Sequence, residues 1–187
     1  GGNTKVPFAE ADAVDHPVSV YAATKRASEL LAETYHQLYG LRTVGLRYFT
    51  VYGPWGRPDM AYFSFTRAIL GGQPIDVYNR GQMERDFTYI DDIVAGTVAA
   101  LRSNLAGEII NLGNHQPVTL DAFIRAIEEA TGKTAQRRLL PMQPGDVPRT
   151  YADISQAKAR LGWEPKTSLT EGIEKFVAWY RSYYQDS

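Results

Sequence analysis

The chain has 187 residues and a net charge of −1, and its 44% of hydrophobic and 22% of charged residues are typical of a globular protein. The balanced charge gives no basic surface for nucleic acid, and the absence of cysteine excludes disulfides, thiol catalysis and zinc–thiolate sites. No apolar run reaches the roughly 18 residues that cross a membrane. We therefore expect a cytoplasmic protein without a metal site and without nucleic-acid or membrane partners.

The first part of the chain predicts a polar loop over residues 1–18, then one helix and one strand. Ser19 is a typical N-cap for a helix that runs to about Tyr39, and Gly40 fits the position after it. Residues 43–49 then predict a strand buried on both faces, and this order of elements is typical of a parallel α/β sheet. The helix should bury a stripe at helical spacing, formed by Ala27, Leu30, Leu31, Thr34, Tyr35 and Leu38.

The second part of the chain alternates short strands with helices around turns rich in glycine and proline. The predicted helices span residues 61–70, about 91–102, 119–131, 155–161 and 169–184. The predicted strands span residues 75–78, 86–90, 108–112 and 137–140. The pattern is mixed α/β: residues 1–60 belong to a parallel sheet, and residues 61–187 form mainly a small mixed lobe, some segments of which can return to the main sheet.

Tyr21 and Lys25 are the first candidates for chemistry. They are four residues apart at the start of a predicted helix and therefore lie on one helical face. A free phenol has a pKa of about 10, and a neighbouring ammonium favours its ionised form, so such a pair can exchange a proton with an alcohol near neutral pH. The alternative is structural, with a surface lysine beside a half-buried tyrosine.

Proton transfer of this kind usually serves hydride transfer to a nicotinamide, which needs a dinucleotide site. None of the 16 glycines forms G-x-G-x-x-G or G-x-x-G-x-x-G. We therefore interpret the chain as the C-terminal part of an enzyme whose cofactor-binding half is absent, and we expect this part alone to be inactive.

Five stretches in a fixed order resemble the extended short-chain dehydrogenase/reductases that act on nucleotide sugars. They are Tyr21-x-x-x-Lys25, LRYFTVYGP at 46–54, RDFTYIDD at 85–92, NLGN at 111–114 and PGDV at 144–147. YGPWGRPDMA at 52–61 and MQPGD at 142–146 are most similar to the UDP-glucuronate 4-epimerases. The resemblance implies the C-terminal part of a Rossmann-type, doubly wound parallel sheet with a small substrate-binding lobe.

The resemblance also implies NAD as cofactor and assigns four residues to its side of the site. Tyr21 would be the catalytic base and acid on the sugar 4-hydroxyl, and Lys25 would tune it and bind the nicotinamide ribose. Tyr48 and Phe49 would lie against the nicotinamide end of NAD. The family's catalytic serine or threonine belongs to a preceding strand that this chain does not contain.

Four further residues are expected to bind a UDP-sugar. The resemblance implies that Thr50 touches the substrate, that Arg85 neutralises the diphosphate and that Asp146 accepts a hydrogen bond from a hydroxyl. We add Arg57 as the partner of a substrate carboxylate. Three of the four have a structural alternative: a solvent-exposed loop arginine for Arg57, an ion pair with the next residue for Arg85, and a turn-closing role for Asp146.

The sequence therefore predicts NAD-dependent 4-epimerisation of a UDP-sugar, UDP-glucuronate to UDP-galacturonate, in an intact homodimeric enzyme. Decarboxylation of UDP-glucuronate, or another nucleotide-sugar epimerisation or dehydration, would use the same tyrosine and lysine. A non-catalytic nucleotide-sugar-binding or dimerisation module is the alternative from another class.

Overall fold

The structure is a computed structural model that describes residues 3, 5–142 and 147–184. The described residues form helices α1 Val20–Tyr39, α2 Ala61–Leu70, α3 Ile90–Arg102, α4 Leu120–Thr131, α5 Ser155–Leu161 and α6 Leu169–Tyr184. The strands are β1 Val44–Tyr48, β2 Thr50–Tyr52, β3 Ile75–Tyr78, β4 Glu84–Tyr89, β5 Glu108–Leu112, β6 Pro117–Thr119, β7 Arg137–Leu140 and β8 Arg149–Thr150. The predicted mixed α/β pattern is confirmed.

The strands pair mainly in parallel. β1 pairs with β5, β2 with β4, and β3 with β7, each pair in parallel and each separated in sequence by at least one helix. β4 also carries β8 in parallel and β6 antiparallel along its first residues. Because β1 and β2 are separated by the single residue Phe49, the β1–β5 pair ends where the β2–β4 pair begins.

Helix α1 has the predicted bounds. The Ser19 side chain accepts a hydrogen bond from the Ala22 N–H at 3.1 Å, and Gly40 ends the helix in the left-handed conformation with φ of 66°. A non-glycine residue would be strained there, so the two ends are fixed by local chemistry.

The predicted buried stripe of α1 is wrong. No residue of α1 is buried, and the exposed fractions of Leu31 and Leu38 are 60% and 68%. The physical reason is that no described element covers this face of the helix. Strand β1 is likewise half-buried rather than buried on both faces, with β5 as its sheet partner among the described residues.

The larger of two hydrophobic cores packs α2, α4 and α6 against β2, β3 and β4. Phe87 and Phe123 stack at its centre with ring centroids 3.9 Å apart. Tyr52 is 1% exposed, and its hydroxyl donates at 3.4 Å to the Ser168 carbonyl oxygen just before α6. A Cβ at Gly172 would lie 2.1 Å from the Tyr52 hydroxyl oxygen, so this contact requires glycine in α6.

The smaller core lies between β5, α3 and α5. Trp163 donates its indole N–H to the Asp92 carbonyl oxygen at 2.9 Å, and the Asp92 carboxylate accepts the Thr167 N–H at 2.9 Å. Asp92 therefore has a structural role at the start of α3, where it binds the segment between α5 and α6. No helix in the described part of the chain is long and apolar enough to span a membrane.

Candidate functional site

A cavity of about 720 Å³ lies between the loop before α1, one face of α1 and the end of β1. Four residues predicted on the cofactor side of the site line it together: Tyr21 and Lys25 from the first turns of α1, and Tyr48 and Phe49 from the end of β1. The carboxyl end of a parallel strand is where α/β proteins bind ligands, so the cavity occupies the expected place.

Tyr21 and Lys25 are in contact across one helical turn. The Lys25 Nζ atom lies 5.3 Å from the centroid of the Tyr21 ring. The Tyr21 side chain is 71% exposed, so its hydroxyl is open to a ligand entering from solvent. A phenol next to an ammonium can give or take a proton and can hold sugar hydroxyls.

Tyr48 and Phe49 are held by β5 and its neighbours. Thr97 of α3 donates its hydroxyl to the Ile93 carbonyl at 2.8 Å, so the 3.0 Å bond between Tyr48 and Thr97 has the Tyr48 hydroxyl as its donor. The Phe49 N–H donates to the Leu112 carbonyl at 3.2 Å, which extends the β1–β5 ladder by one residue. The Tyr48 side chain and the Phe49 backbone are thus held at the cavity edge by groups outside the cavity.

A second cavity, of about 650 Å³, lies against β2 and β4, and its wall includes the predicted substrate residues Thr50 and Arg85. Arg67 and Arg138 add two more guanidinium groups to its wall. The carboxylates of Asp59 and Asp76 also line it, and Asp76 is paired with Arg138. Aromatic and apolar side chains form much of the remaining wall, among them Phe65, Tyr78, Met83, Phe87 and Leu120. Cationic groups beside aromatic faces suit an anionic ligand that carries a flat ring.

Arg85 is held at this wall by backbone oxygens. Its Nη1 atom donates to the Val147 carbonyl at 2.7 Å and to the Glu84 carbonyl at 2.9 Å. The Val147 contact connects β4 to the segment that follows the predicted substrate residue Asp146. Asp146 itself lies outside the described residues.

Asp86 has a structural role that the sequence analysis missed. It is fully buried, and its carboxylate accepts backbone N–H groups from Asn114 at 2.6 Å, His115 at 3.2 Å and Ala152 at 2.8 Å. Burial raises the pKa of the Asp86 carboxyl, and these N–H donors oppose that rise. Successive strand residues face opposite sides, so Asp86 binds these loops while Arg85 faces the second cavity. In the sequence, the feature that could have indicated this role is an acidic residue inside a predicted strand.

Arg57 forms a bidentate ion pair with Asp59. Its Nε and Nη2 atoms lie 3.1 and 2.6 Å from the two Asp59 carboxylate oxygens, and the side chains are 74% and 66% exposed. The hydrogen bond to Asp59 is the main reason why the pKa of Arg57 is raised, and Tyr21 contributes a smaller electrostatic part. Arg57 is thus within electrostatic reach of Tyr21, on a loop outside both cavity walls.

The model of the NAD-dependent epimerase/dehydratase family matches residues 1–113, which is more than half of the chain. The chain belongs to this family. An Arabidopsis thaliana protein, UDP-glucuronate 4-epimerase 4, is 50% identical over 201 residues; the match covers 98% of this chain and 46% of that protein. Across the most similar curated relatives, this family member spans between 46% and 61% of their length.

Two solved structures of the family show the same fold. The Thermotoga maritima UDP-glucose 4-epimerase with UDP-glucose has a TM-score of 0.92 at 33% identity, covering 98% of this chain and 60% of that one. A variant of the Bacillus cereus UDP-glucuronic acid 4-epimerase, bound to a fluorinated UDP-glucuronic acid and NAD, has a TM-score of 0.90 at 37% identity, with coverages of 98% and 59%. The predicted Rossmann-type α/β fold of this epimerase-family chain is confirmed, while its residue roles stay predictions.

Proposed function

We propose that the intact protein catalyses NAD-dependent 4-epimerisation of a UDP-sugar, with UDP-glucuronate and UDP-galacturonate as the exchanging pair. The observation that carries the proposal is the convergence of Tyr21, Lys25, Tyr48 and Phe49 on one cavity. The identities of 50% to the Arabidopsis thaliana UDP-glucuronate 4-epimerase and 37% to the Bacillus cereus enzyme support the choice of substrate.

The residues around the first cavity fit the nicotinamide end of NAD. Tyr21 and Lys25 offer a hydroxyl and an ammonium to ribose oxygens, and Tyr48 and Phe49 offer aromatic faces to a flat ring. NAD, when bound, would accept a hydride from the sugar and return it. The glycine-rich turn that binds a pyrophosphate in this fold does not occur in the sequence.

Tyr21 would take the proton from the sugar 4-hydroxyl and later return a proton to the same oxygen. Lys25, in contact with the Tyr21 ring, would hold its ammonium beside the phenol during both steps. The sugar is a 4-ketone between the two steps and must turn over so that its other face is reduced. A site that holds the UDP group firmly while the sugar ring is free to turn meets this requirement.

The second cavity would hold the UDP part of the substrate. Arg85 is fixed by the Val147 carbonyl and lines this cavity together with Arg67 and with Arg138, whose guanidinium is paired with the Asp76 carboxylate. Thr50 follows Phe49 directly and lines the second cavity, so the chain passes from the first cavity to the second within one residue. The sugar would lie at this crossing, with Asp146 bound to one of the hydroxyls.

The substrate carboxylate is the group that distinguishes uronates from neutral hexoses. Arg57 would bind it, but Asp59 already occupies the guanidinium fork, so an incoming carboxylate has to compete with Asp59. This ion pair favours a second candidate, epimerisation of a neutral UDP-hexose such as UDP-glucose, the ligand named in the Thermotoga maritima structure. UDP-glucuronate decarboxylation is an outcome that product analysis would reveal, because a 4-keto acid loses carbon dioxide readily.

We further propose that residues 1–60 are the C-terminal portion of a dinucleotide-binding domain and that residues 61–187 form mainly a substrate lobe. In this division β5 returns to the first unit, because it pairs with β1. A homodimer is proposed for the intact enzyme, and the chain alone should form no UDP-galacturonate from UDP-glucuronate and NAD.

The decisive experiment compares Tyr21→Phe with wild type in the protein encoded by the complete gene. Losing the hydroxyl should reduce kcat by about 10²- to 10⁴-fold, because general acid–base catalysis contributes that much. UDP affinity should stay unchanged, since the second cavity is intact. Tyr35→Phe is the matched control, since Tyr35 is a half-exposed tyrosine of the same helix outside both cavity walls. If Tyr21→Phe retained more than about a tenth of wild-type kcat, the acid–base role would be refuted.

A further inference from the structure

A bidentate ion pair joins the helix that carries Tyr21 and Lys25 to β1. No residue of α1 is buried, yet the side chain of Glu29 is only 16% exposed and that of its partner Arg47 is 21% exposed. Arg47 Nε lies 2.7 Å from one Glu29 carboxylate oxygen, and Arg47 Nη2 lies 2.9 Å from the other. Two parallel bonds of this kind fix orientation as well as distance.

A second arginine strengthens the pair. Arg26 Nη1 lies 3.0 Å from a Glu29 carboxylate oxygen, and Arg26 Nη2 lies 3.6 Å from the Asp15 carboxylate in the loop before α1. Both arginines hold the pKa of Glu29 below its usual value, with the Arg47 hydrogen bond as the largest cause. Glu29 is therefore ionised at neutral pH and joins the helix to the strand, while Arg26 connects it to the loop before α1.

The position of Glu29 relates this pair to the proposed chemistry. Residues 21, 25 and 29 are spaced by four and lie on one face of α1, and all three line the first cavity together with Arg47. Arg47 immediately precedes Tyr48 in β1. The bidentate ion pair between Glu29 and Arg47, called the fork below, thus joins two parts of the site. It connects the strand end that carries Tyr48 and Phe49 to the helical face that carries Tyr21 and Lys25.

We propose that Glu29 and Arg47 are positioning residues. They fix the orientation and position of α1 relative to β1, so that Tyr21 and Lys25 face the ligand held at the end of β1. The inference rests on the proposed function. A rotation of α1 would move the Tyr21 hydroxyl, and the two parallel bonds between Glu29 and Arg47 oppose such a rotation. A misplacement of about 1 Å far from the reacting atoms can reduce a rate about 100-fold.

The test is a double-mutant cycle in the protein encoded by the complete gene, with Glu29→Gln, Arg47→Gln and the double variant. We expect each single variant to reduce kcat by about 10- to 100-fold with little change in KM. The double variant should be no worse than the poorer single variant, since residues that act as one unit are not additive. Arg47→Lys keeps the charge but not the fork, so it should also reduce kcat.

The matched control is Glu108→Gln, which breaks another ion pair between a strand and a helix. In this pair Arg160 Nη2 lies 2.6 Å from Glu108 Oε1, and both residues lie outside both cavity walls. It should leave kcat unchanged even where it lowers stability. Unchanged kcat in Glu29→Gln, additive losses in the cycle, or an equal loss in Glu108→Gln would each overturn the positioning role.

Hydrogen exchange of the α1 amides separates this inference from the proposed function. Loss of the fork should speed exchange at residues 20–27 by about tenfold or more, and Glu108→Gln should not. If the wild-type protein epimerised no UDP-sugar, the proposed function would fail, while the exchange data would still decide whether the fork fixes α1. Unchanged exchange in Glu29→Gln would overturn the inference.

Discussion

Gly113 is the position at which a single methyl group should reveal how tightly the site's surroundings are packed. It follows β5 and lies in the N-L-G-N stretch between the buried Asp86 and the candidate cofactor residue Phe49. A Cβ at this position would lie 2.5 Å from Ala152 Cβ, 2.8 Å from an Asp86 carboxylate oxygen and 3.3 Å from Phe49 Cδ2. The first two distances are too short to persist, so Gly113→Ala forces a displacement.

The loss of stability in Gly113→Ala can be estimated from these contacts. Adding a methylene to a packed interior costs about 1–3 kcal/mol. Asp86 and Ala152 are both fully buried, so relief by moving Asp86 would lengthen at least one of its backbone hydrogen bonds. A hydrogen bond to a charged group contributes about 1.5–3 kcal/mol. We therefore expect Gly113→Ala to lower the free energy of unfolding by about 2.5–6 kcal/mol, a large part of a typical total of about 5–15 kcal/mol.

Equilibrium urea denaturation of wild type and variant measures this difference. Gly45→Ala is the control, because Gly45 lies in β1 on the same sheet and its Cβ would be 3.4 Å from Ile109 Cγ1, an ordinary contact. Replacing glycine by alanine in a strand should stabilise by up to about 1 kcal/mol where space allows. A loss below about 1 kcal/mol for Gly113→Ala would refute the packing argument.

Three further substitutions test the charged groups. Arg85→Ala should weaken UDP binding, measured by calorimetry, about 10- to 150-fold whatever sugar is attached. The control Arg160→Ala changes an arginine outside both cavities and should leave UDP affinity unchanged. If Arg85→Ala bound UDP as tightly as wild type, Arg85 would have a structural role. Arg57→Ala should weaken UDP-glucuronate but spare UDP-glucose in the intact enzyme, and equal losses would favour a neutral hexose or a structural arginine. The pKa of Glu29 lies below its ordinary 4.5 in the folded chain, so its contribution to stability is present above that value and is lost as the pH falls through the lower one. The difference in unfolding free energy between wild type and Glu29→Gln should accordingly be constant near neutral pH and shrink in acid, and a constant difference throughout would contradict the ionised fork.

The elements that could be predicted from sequence are those specified by local signals. The ends of α1 follow from Ser19 and Gly40, and those of α4 from Thr119, which caps the Ala122 N–H at 3.1 Å, and Gly132 in the left-handed conformation. Strands β2, β6 and β8 were missed because each has two or three residues and exists through its pairing with β4. Periodicity alone could not specify them.

Burial and side-chain partners were harder to predict, because they depend on residues distant in sequence. The apolar spacing of α1 predicted a buried stripe, but burial needs a covering element as well as a pattern. The Y-x-x-x-K spacing did identify Tyr21 and Lys25, which the fold places together on a cavity wall with Tyr48 and Phe49. The partners of Asp86 lie 28, 29 and 66 positions away, so no local pattern could indicate them.

The Tyr52 hydroxyl contact has a consequence for how the chain folds. Its carbonyl partners at Ser168 and Leu169 are separated from it by 116 and 117 positions. During synthesis the segment carrying Phe49 and Thr50 is complete long before the residues that close the core over Tyr52 exist. Such non-local closure slows folding and leaves apolar side chains exposed in the interval. The packing around β2, the strand that begins at Thr50, is therefore completed late, when α6 docks.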